Sequence, residues 1–139
     1  MVESVVFAYA DSSALVKLMI DEPESAALRA AVGTHGVIAA SEIAVVELVR
    51  AGRRVAGEVG ALRARALIAT LALVPFSKSI RDAAAEIRGV GMNSLDALHL
   101  ASALDVRQAG AALPFYCYDR PLGDAAREAG LLTTSPGAA

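Results

Sequence analysis

Four carboxylates lie within or directly beside apolar segments of this sequence. Asp11 and Asp119 each follow an apolar run, while Glu47 and Asp96 each interrupt one. A carboxylate next to buried surface is costly unless it is paired, protonated or bound to a metal. Four such acids, far apart in the sequence, suggest convergence on one hard divalent cation. Carboxylates without soft ligands favour Mg²⁺ or Mn²⁺.

Each acid also has a simpler explanation. Asp11 and Asp119 could cap the helices that follow them, and Asp96 could be a first-turn acid favoured by the helix dipole. Glu47 could pair with Arg50, three residues further on. Together these explanations weaken, because Glu47 and Asp96 are flanked by apolar residues. A dipole preference of about 0.3–1 kcal/mol does not offset the burial of a carboxylate.

Other chemistries find little support. The sequence has no phosphate-binding P-loop, no dinucleotide-binding glycine motif and no serine nucleophile elbow. His99 follows Asp96 by one helical turn and is interpreted as a partly buried histidine with satisfied hydrogen bonds. Only His35 accompanies it, so a zinc site is unsupported. The single cysteine, Cys117, lies in an apolar run and is interpreted as an inert buried thiol, which fits a reducing compartment.

Apolar strand patterns alternate with helical patterns, which predicts an α/β fold with a mostly parallel sheet of four to five strands. The predicted strands are 5–10, 37–40, 73–76, 115–118 and an edge strand at 131–133. The predicted helices are 12–20, 24–32, 41 to about 55, 61–71, 79–88, 93 or 94 to about 108, and 121–129. In such sheets, ligands bind at the carboxyl ends of the strands, near a topological switch point. All four acids are therefore expected at that edge.

The bulk composition restricts the class of protein. The chain has 139 residues, of which 55% are hydrophobic, enough for one domain with a real core. A net charge of −2 argues against a uniformly basic nucleic-acid binder, although the middle of the chain is locally basic. No basic leader and no apolar run of about 20 residues occurs, so we expect a cytoplasmic protein that does not span a membrane.

Four segments of the sequence together resemble the PIN-domain ribonucleases, in particular the VapC toxins of VapBC toxin–antitoxin pairs. The segments are YADSSALVKL at 9–18 with EPES at 22–25, SE at 41–42 with ELVRA at 47–51, LDALHLA at 95–101, and YDRPL at 118–122. Many members carry Thr or Ser where this chain has Cys117. Glu42 competes with Glu47 as the second acid, and we prefer Glu47 because Arg50 and Ala51 follow it. Asp124 is either an outer acid of the site or, as we favour, a surface residue.

The resemblance implies a three-layer α/β/α PIN domain over residues 1–134, with a flexible tail at 135–139. It implies a metal-dependent endoribonuclease in which Asp11, Glu47 and Asp96 hold Mg²⁺ or Mn²⁺, and Asp119 completes the site or a second metal position. It also implies a VapB-type antitoxin that blocks the site, a homodimer, and promoter DNA bound only through the antitoxin.

RNA requires positive charge beside this acidic cleft. The candidates for phosphate contacts are Lys17, Arg50, Arg53, Arg54 and Arg120. Two rival functions remain. One is a non-catalytic PIN-fold module that acts through its antitoxin partner. The other is a phosphoryl-transfer domain with Asp11 as acceptor, which is disfavoured because no lysine follows Lys78.

Overall fold

A five-stranded parallel sheet forms the centre of the computed structural model, which describes residues 7–107 and 112–139. The strands are β1 (Phe7–Ala10), β2 (Val37–Ser41), β3 (Ala72–Val74), β4 (Pro114–Tyr116) and β5 (Leu132–Thr134). Their order is β3-β2-β1-β4-β5, and all four pairings are parallel. The predicted parallel sheet is confirmed. The chain adds strands outward from β1 on one side and then returns to add β4 on the other, so the switch point lies between β1 and β4.

Helices cover both faces of the sheet, as predicted. They are α1 (Ser12–Met19), α2 (Ser25–Val32), α3 (Ile43–Ile68), α4 (Lys78–Glu86), α5 (Ser94–Val106) and α6 (Arg120–Glu128). Alternate residues of β1 enter different cores, because successive strand side chains point to opposite faces. Ala8 and Ala10 pack in one core with Leu15 and Leu48, whereas Tyr9 packs in the other with residues of α5 and α6. This arrangement has the three layers expected of a PIN domain.

The middle of α3 contains a turn. Ala56 and Gly57 leave helical geometry, and Gly57 has a φ of 57°, which glycine adopts without strain. The chain folds back there, and an ion pair of 2.8 Å between Arg53 and Glu58 spans the turn. The two separate helices predicted here are thus the two arms of α3. Predicted residues 5, 6 and 108 lie outside the described residues.

The C-terminal residues lie against the end of β4. The Ser135 hydroxyl donates a hydrogen bond to the Cys117 carbonyl oxygen, and the Tyr118 hydroxyl donates one to the Pro136 carbonyl oxygen at 2.6 Å. The boundary at residue 134 and the flexibility of the tail stay predictions. None of the helices in the described ranges is long and apolar enough to cross a membrane.

We predict that Gly52→Ala destabilises the protein by about 2–3 kcal/mol, because a methyl group at this position would overpack the contact between the α3 arms. A Cβ atom on Gly52 would lie 2.3 Å from the Gly60 carbonyl oxygen, closer than any real contact. Urea unfolding measures the effect. As a control, a Cβ atom on Gly123 would meet its nearest neighbour at 3.6 Å. Gly123→Ala should be neutral or stabilising, and equal losses in both variants would contradict the argument.

Candidate active site

Asp11 is the fully buried member of the acid set. It directly follows β1 at the N-cap of α1, and only 2% of the residue is exposed. Its Oδ1 accepts hydrogen bonds from the Ala14 amide at 3.0 Å and the Ser13 hydroxyl at 2.6 Å. Its Oδ2 accepts a hydrogen bond from the Cys117 thiol at 3.2 Å. Burial raises the pKa of this carboxyl group above its usual range, so the ionised form is under strain in the metal-free protein.

Glu47 connects the helices that carry the other acids. Its Oε2 accepts a hydrogen bond from the Ser12 hydroxyl at 3.0 Å, and its Oε1 lies 2.8 Å from His99 Nε2. Ser12 begins α1 beside Asp11, and His99 lies on α5 one turn after Asp96. The competing acid, Glu42, instead accepts a hydrogen bond from the Phe76 amide beyond β3. Of the two acids, Glu47 is therefore the one bonded to neighbours of Asp11 and Asp96.

Asp96 and Asn93 form a capping box at the start of α5. Asn93 Oδ1 accepts the Asp96 amide at 2.8 Å, and Asp96 Oδ2 accepts the Asn93 amide at 3.2 Å. Burial raises the pKa of the Asp96 carboxyl group, and the negative charges of Asp119 and Glu47 raise it further. Asp96 therefore lies within electrostatic range of both Asp119 and Glu47.

Asp119 caps α6, with Pro121 in the first turn behind it. Its Oδ1 accepts the Leu122 amide at 3.1 Å, and its carbonyl oxygen lies 3.2 Å from the Cys117 sulfur. Cys117 thus contacts both Asp11 and Asp119. Its predicted burial is confirmed, and burial raises the pKa of the thiol, which therefore remains a hydrogen-bond donor. The cysteine occupies the place of a hydroxyl donor and still supplies a hydrogen bond to Asp11.

The four acids differ in burial: Asp11 is fully buried, and the other three lie beside buried surface with part of each residue exposed. Glu47 is 20% exposed at its side chain, and Asp96 and Asp119 are half-buried. Their apolar sequence neighbours face the cores, because each helical residue is rotated by about 100° from the last. The expected pair of Glu47 with Arg50 is absent from the described ion pairs. The capping explanation holds for Asp11 and Asp119, and Asp96 is a first-turn acid of α5 that also forms the capping box with Asn93.

His99 has a larger part in the site than the sequence suggested. The predicted satisfied histidine is confirmed, but it is 1% exposed rather than partly buried. Its Nδ1 lies 2.9 Å from the Tyr9 hydroxyl, and its Nε2 contacts Glu47. Sequence reasoning missed both partners, because strand β1 and helix α5 are far apart in the chain. The position of His99, three residues after an acid and flanked by apolar residues, was the available signal.

Residues 8–113 match the PIN domain family. The chain belongs to the PIN domain family. Two relatives from Mycobacterium tuberculosis extend the match across nearly the whole domain. Ribonuclease VapC47 is 38% identical over 94% of this chain and 97% of its own length. Ribonuclease VapC46 is 36% identical over 92% of this chain and 96% of its own.

Two solved structures share the fold of this PIN domain at low sequence identity. One is VapBC2 from Rickettsia felis bound to a DNA fragment from its promoter, with a TM-score of 0.68, 14% identity, and coverage of 94% of this chain and 98% of the other. The other is VapC20 from Mycobacterium tuberculosis, a toxin that cleaves the sarcin–ricin loop. Its TM-score is 0.69 at 15% identity, with coverage of 90% and 97%. At these identities the likeness shows the common α/β/α architecture.

The donor chemistry of the PIN domain's edge fits a hard divalent cation. All four acids offer oxygen atoms, and burial together with the negative charges of Asp119 and Glu47 raises the pKa of Asp96. Within residues 7–107 and 112–139, no group of three or more His, Cys, Asp or Glu side chains is placed closely enough to hold a metal ion together. Mg²⁺ commonly takes one or two carboxylates and keeps several waters, so an open arrangement of acids is compatible with it.

Basic side chains border the acids unevenly. Arg50 and Arg54 are exposed and line a groove of about 430 Å³ together with Ser12, Glu47 and Leu95. The other predicted RNA-binding residues are placed differently. Arg53 pairs with Glu58, Arg120 is exposed at the start of α6, and Lys17 Nζ lies 2.9 Å from Glu24 with its side chain 13% exposed. Asp124 is an exposed residue that contacts Arg127 at 3.3 Å, which agrees with the favoured surface role.

We predict that Asp11→Asn stabilises the metal-free protein at neutral pH. Folding raises the pKa of Asp11, so wild-type stability falls as the pH rises from below the ordinary carboxyl pKa of about 3.9 through the raised value. Asparagine keeps the cap and carries no charge. In EDTA, the melting temperature of the variant should exceed that of the wild type by about 3 °C or more at pH 8. The difference should shrink towards pH 4.

Asp124→Asn is the matched control, because this carboxylate is exposed and its removal should shift stability little at either pH. An Asp11→Asn variant that melts below the wild type at pH 8 would contradict the prediction. It would mean that the hydrogen bonds to the charged carboxylate outweigh the cost of its burial.

Proposed function

We propose that this PIN domain is a metal-dependent endoribonuclease of the VapC type, the toxin of a toxin–antitoxin pair. The observation that carries the proposal is the placement of Asp96 near the negative charges of Asp119 and Glu47, with Asp11 buried at the carboxyl edge of the sheet and its neighbour Ser12 bonded to Glu47. Such a cluster is unfavourable without a cation. The relatives of this chain that are named Ribonuclease VapC, at 36% and 38% identity, support RNA as the substrate.

The four acids have different roles in the proposed mechanism. Asp11, Glu47 and Asp96 would hold Mg²⁺ or Mn²⁺, and Asp119 would complete the site or a second position. The bound ion would lower the pKa of a water molecule and neutralise charge on the phosphate. Asp11 or Asp119 would orient the attacking water. Attack on phosphorus breaks the bond to the 3′ oxygen, which takes up a proton, so the products are a 5′-phosphate and a 3′-hydroxyl.

The groove beside Glu47 would hold the RNA backbone. Arg50 and Arg54 line the groove and are proposed as the main phosphate contacts, with Arg53 and Arg120 as flanking ones. Lys17 is a weaker candidate, because two carboxylates already neutralise it. Aromatic residues make up only 4% of the chain, so RNA recognition would depend on backbone shape and polar contacts more than on base stacking.

The proposed partner is a VapB-type antitoxin that covers the site in the cytoplasm. The fold-level likeness to VapBC2, a complex bound to promoter DNA, supports this partner and an indirect link to DNA. A homodimer completes the proposed assembly.

Co-expression with the product of a small reading frame just upstream of the gene tests the pairing with an antitoxin. A complex that loses nuclease activity supports the pairing, and free active protein opposes it.

We predict that Asp96→Asn lowers RNA cleavage about 100-fold, because it removes a charge from the proposed metal site while the amide oxygen can still accept the Asn93 amide. Cleavage of a mixed RNA pool is followed with Mn²⁺ or Mg²⁺ and with EDTA, and the product ends are mapped. Asp124→Asn is the control and should cleave like the wild type.

Three results separate the alternatives. Metal-dependent cleavage that Asp96→Asn abolishes supports the nuclease. Metal binding without cleavage by any variant favours the non-catalytic module. Cleavage that survives both EDTA and Asp96→Asn rejects the mechanism.

We predict that replacing Arg50 and Arg54 together with glutamine weakens RNA binding and flattens its salt dependence. Each lost phosphate contact should reduce the slope of log K against log salt by about 0.7, so the double variant should lose about 1.4. Affinity is measured in the Asp96→Asn background to prevent cleavage. Arg29→Gln is the control, because Arg29 lies on α2 and pairs with Asp21 at 3.4 Å. An unchanged slope in the double variant would reject these two arginines as phosphate contacts.

A further inference from the structure

A buried chain of hydrogen bonds runs from the end of β2 to the carboxylate of Glu47. The Ser41 amide donates to the Tyr9 hydroxyl oxygen at 3.0 Å. The Tyr9 hydroxyl lies 2.9 Å from His99 Nδ1, and His99 Nε2 lies 2.8 Å from Glu47 Oε1. Tyr9 is 0% exposed and His99 is 1% exposed, so water does not compete for these bonds. The chain joins three elements, β1, β2 and α5, to α3.

The direction of each bond follows from its donors. A backbone amide can only donate, so the Tyr9 oxygen accepts from Ser41 and keeps its own proton to donate. Burial raises the pKa of the Tyr9 hydroxyl, which keeps that proton in place. With a neutral imidazole, Tyr9 donates to Nδ1, the ring carries its hydrogen on Nε2, and Nε2 donates to Glu47. This chain of hydrogen bonds therefore orients the Nε2–H of His99 as a donor to the Glu47 carboxylate.

We propose that His99 and Tyr9 are positioning residues that hold the Glu47 carboxylate towards Asp11 and Asp96, an inference that rests on the proposed nuclease function. A glutamate side chain has several rotatable bonds and is otherwise free to point into the groove. Here each carboxylate oxygen has its own donor, His99 for Oε1 and Ser12 for Oε2. Donors on two different helices restrict both the position and the rotation of the group.

Packing of the aromatic rings restricts the movement of the residues in this hydrogen-bond chain. The Tyr9 ring stacks on Phe115 with centroids 5.4 Å apart and an interplanar angle of 6°. It also makes an edge-to-face contact with the His99 ring, with centroids 6.1 Å apart. Tyr9 and Phe115 are paired residues on adjacent strands β1 and β4. The sheet register therefore fixes the position of the Tyr9 hydroxyl, which orients the His99 imidazole. The imidazole in turn orients the Glu47 carboxylate.

The second histidine of the chain provides an internal control. His35 Nε2 lies 2.6 Å from the Tyr116 hydroxyl, so it is also a histidine bonded to a tyrosine. Its described contacts include no carboxylate. His35→Gln should therefore leave cleavage and metal affinity unchanged.

The test compares His99→Met, which keeps volume and removes the donor, with His99→Gln, which restores an N–H donor. His99→Met should lower kcat and Mn²⁺ affinity about 10- to 100-fold with KM within about twofold, while melting as a folded protein. His99→Gln should recover most of the loss. Tyr9→Phe should give an intermediate loss, because the imidazole keeps its place but loses the bond that selects its tautomer.

Two measurements distinguish positioning from a general structural role. In the Glu47→Gln background, His99→Met should change Mn²⁺ affinity by less than about twofold, because its effect acts through Glu47. The ¹⁵N shifts of the imidazole, measured without metal in His35→Gln so that one histidine remains, should show hydrogen on Nε2 of His99. Glu47→Gln should move that signal.

Wild-type activity in folded His99→Met, or an equal loss with and without Glu47, would overturn the inference. If the wild type neither binds Mn²⁺ nor cleaves RNA, the proposed nuclease function fails by itself. The ¹⁵N experiment still decides the positioning inference in that case: hydrogen on Nδ1, or a signal that Glu47→Gln does not move, overturns it.

Discussion

The burial of one ionisable group, the carboxylate of Asp11, is the constraint around which this edge of the domain is built. No cation contacts it among the described ion pairs, and it is 2% exposed. An amide of α1, the Ser13 hydroxyl and the Cys117 thiol stabilise it instead. These donors come from α1 and from the segment after β4, so β1 and β4 must be neighbours for the carboxylate to be tolerated. The raised pKa shows that the compensation is incomplete.

Capping and a possible metal role use the same acids without conflict. Asp11, Asp96 and Asp119 each accept backbone amides at the start of a helix, where the positive end of the helix dipole favours an anion. α1 and α6 begin just after the neighbouring parallel strands β1 and β4, so the caps Asp11 and Asp119 lie at the same edge of the sheet. α5 follows α4, and its capping acid Asp96 lies within electrostatic range of Asp119. The described hydrogen bonds of Asp96 and Asp119 each engage one carboxylate oxygen. Capping thus holds Asp96 and Asp119 in place, and each keeps one carboxylate oxygen outside the described hydrogen bonds.

Glu47 reaches this edge by a different route. It lies in the second turn of α3, beyond the range of a cap, so side chains must hold it: Ser12 from α1 and His99 from α5. α3 packs against α1, which carries Ser12. Within α3, Gly52 and Gly60 allow the two arms to approach closely. The groove that Arg50 and Arg54 line is the outer surface of the same first arm.

Local sequence patterns were enough to predict the helices, the strands and the edge of the sheet at which the acids lie. Apolar runs alternating with amphipathic segments predicted the parallel sheet with helices on both faces, because these patterns reflect local periodicity. The acids after strands 5–10 and 115–118 were expected at the carboxyl edge for the same reason. Tertiary structure alone decided what surrounds each acid. The exposure of Glu47 and Asp96, the engagement of Lys17 by Glu24, and the link from Tyr9 through His99 to Glu47 all depend on residues that are distant in the chain. Periodicity identifies the face on which a side chain lies, but only packing decides which partner it meets there.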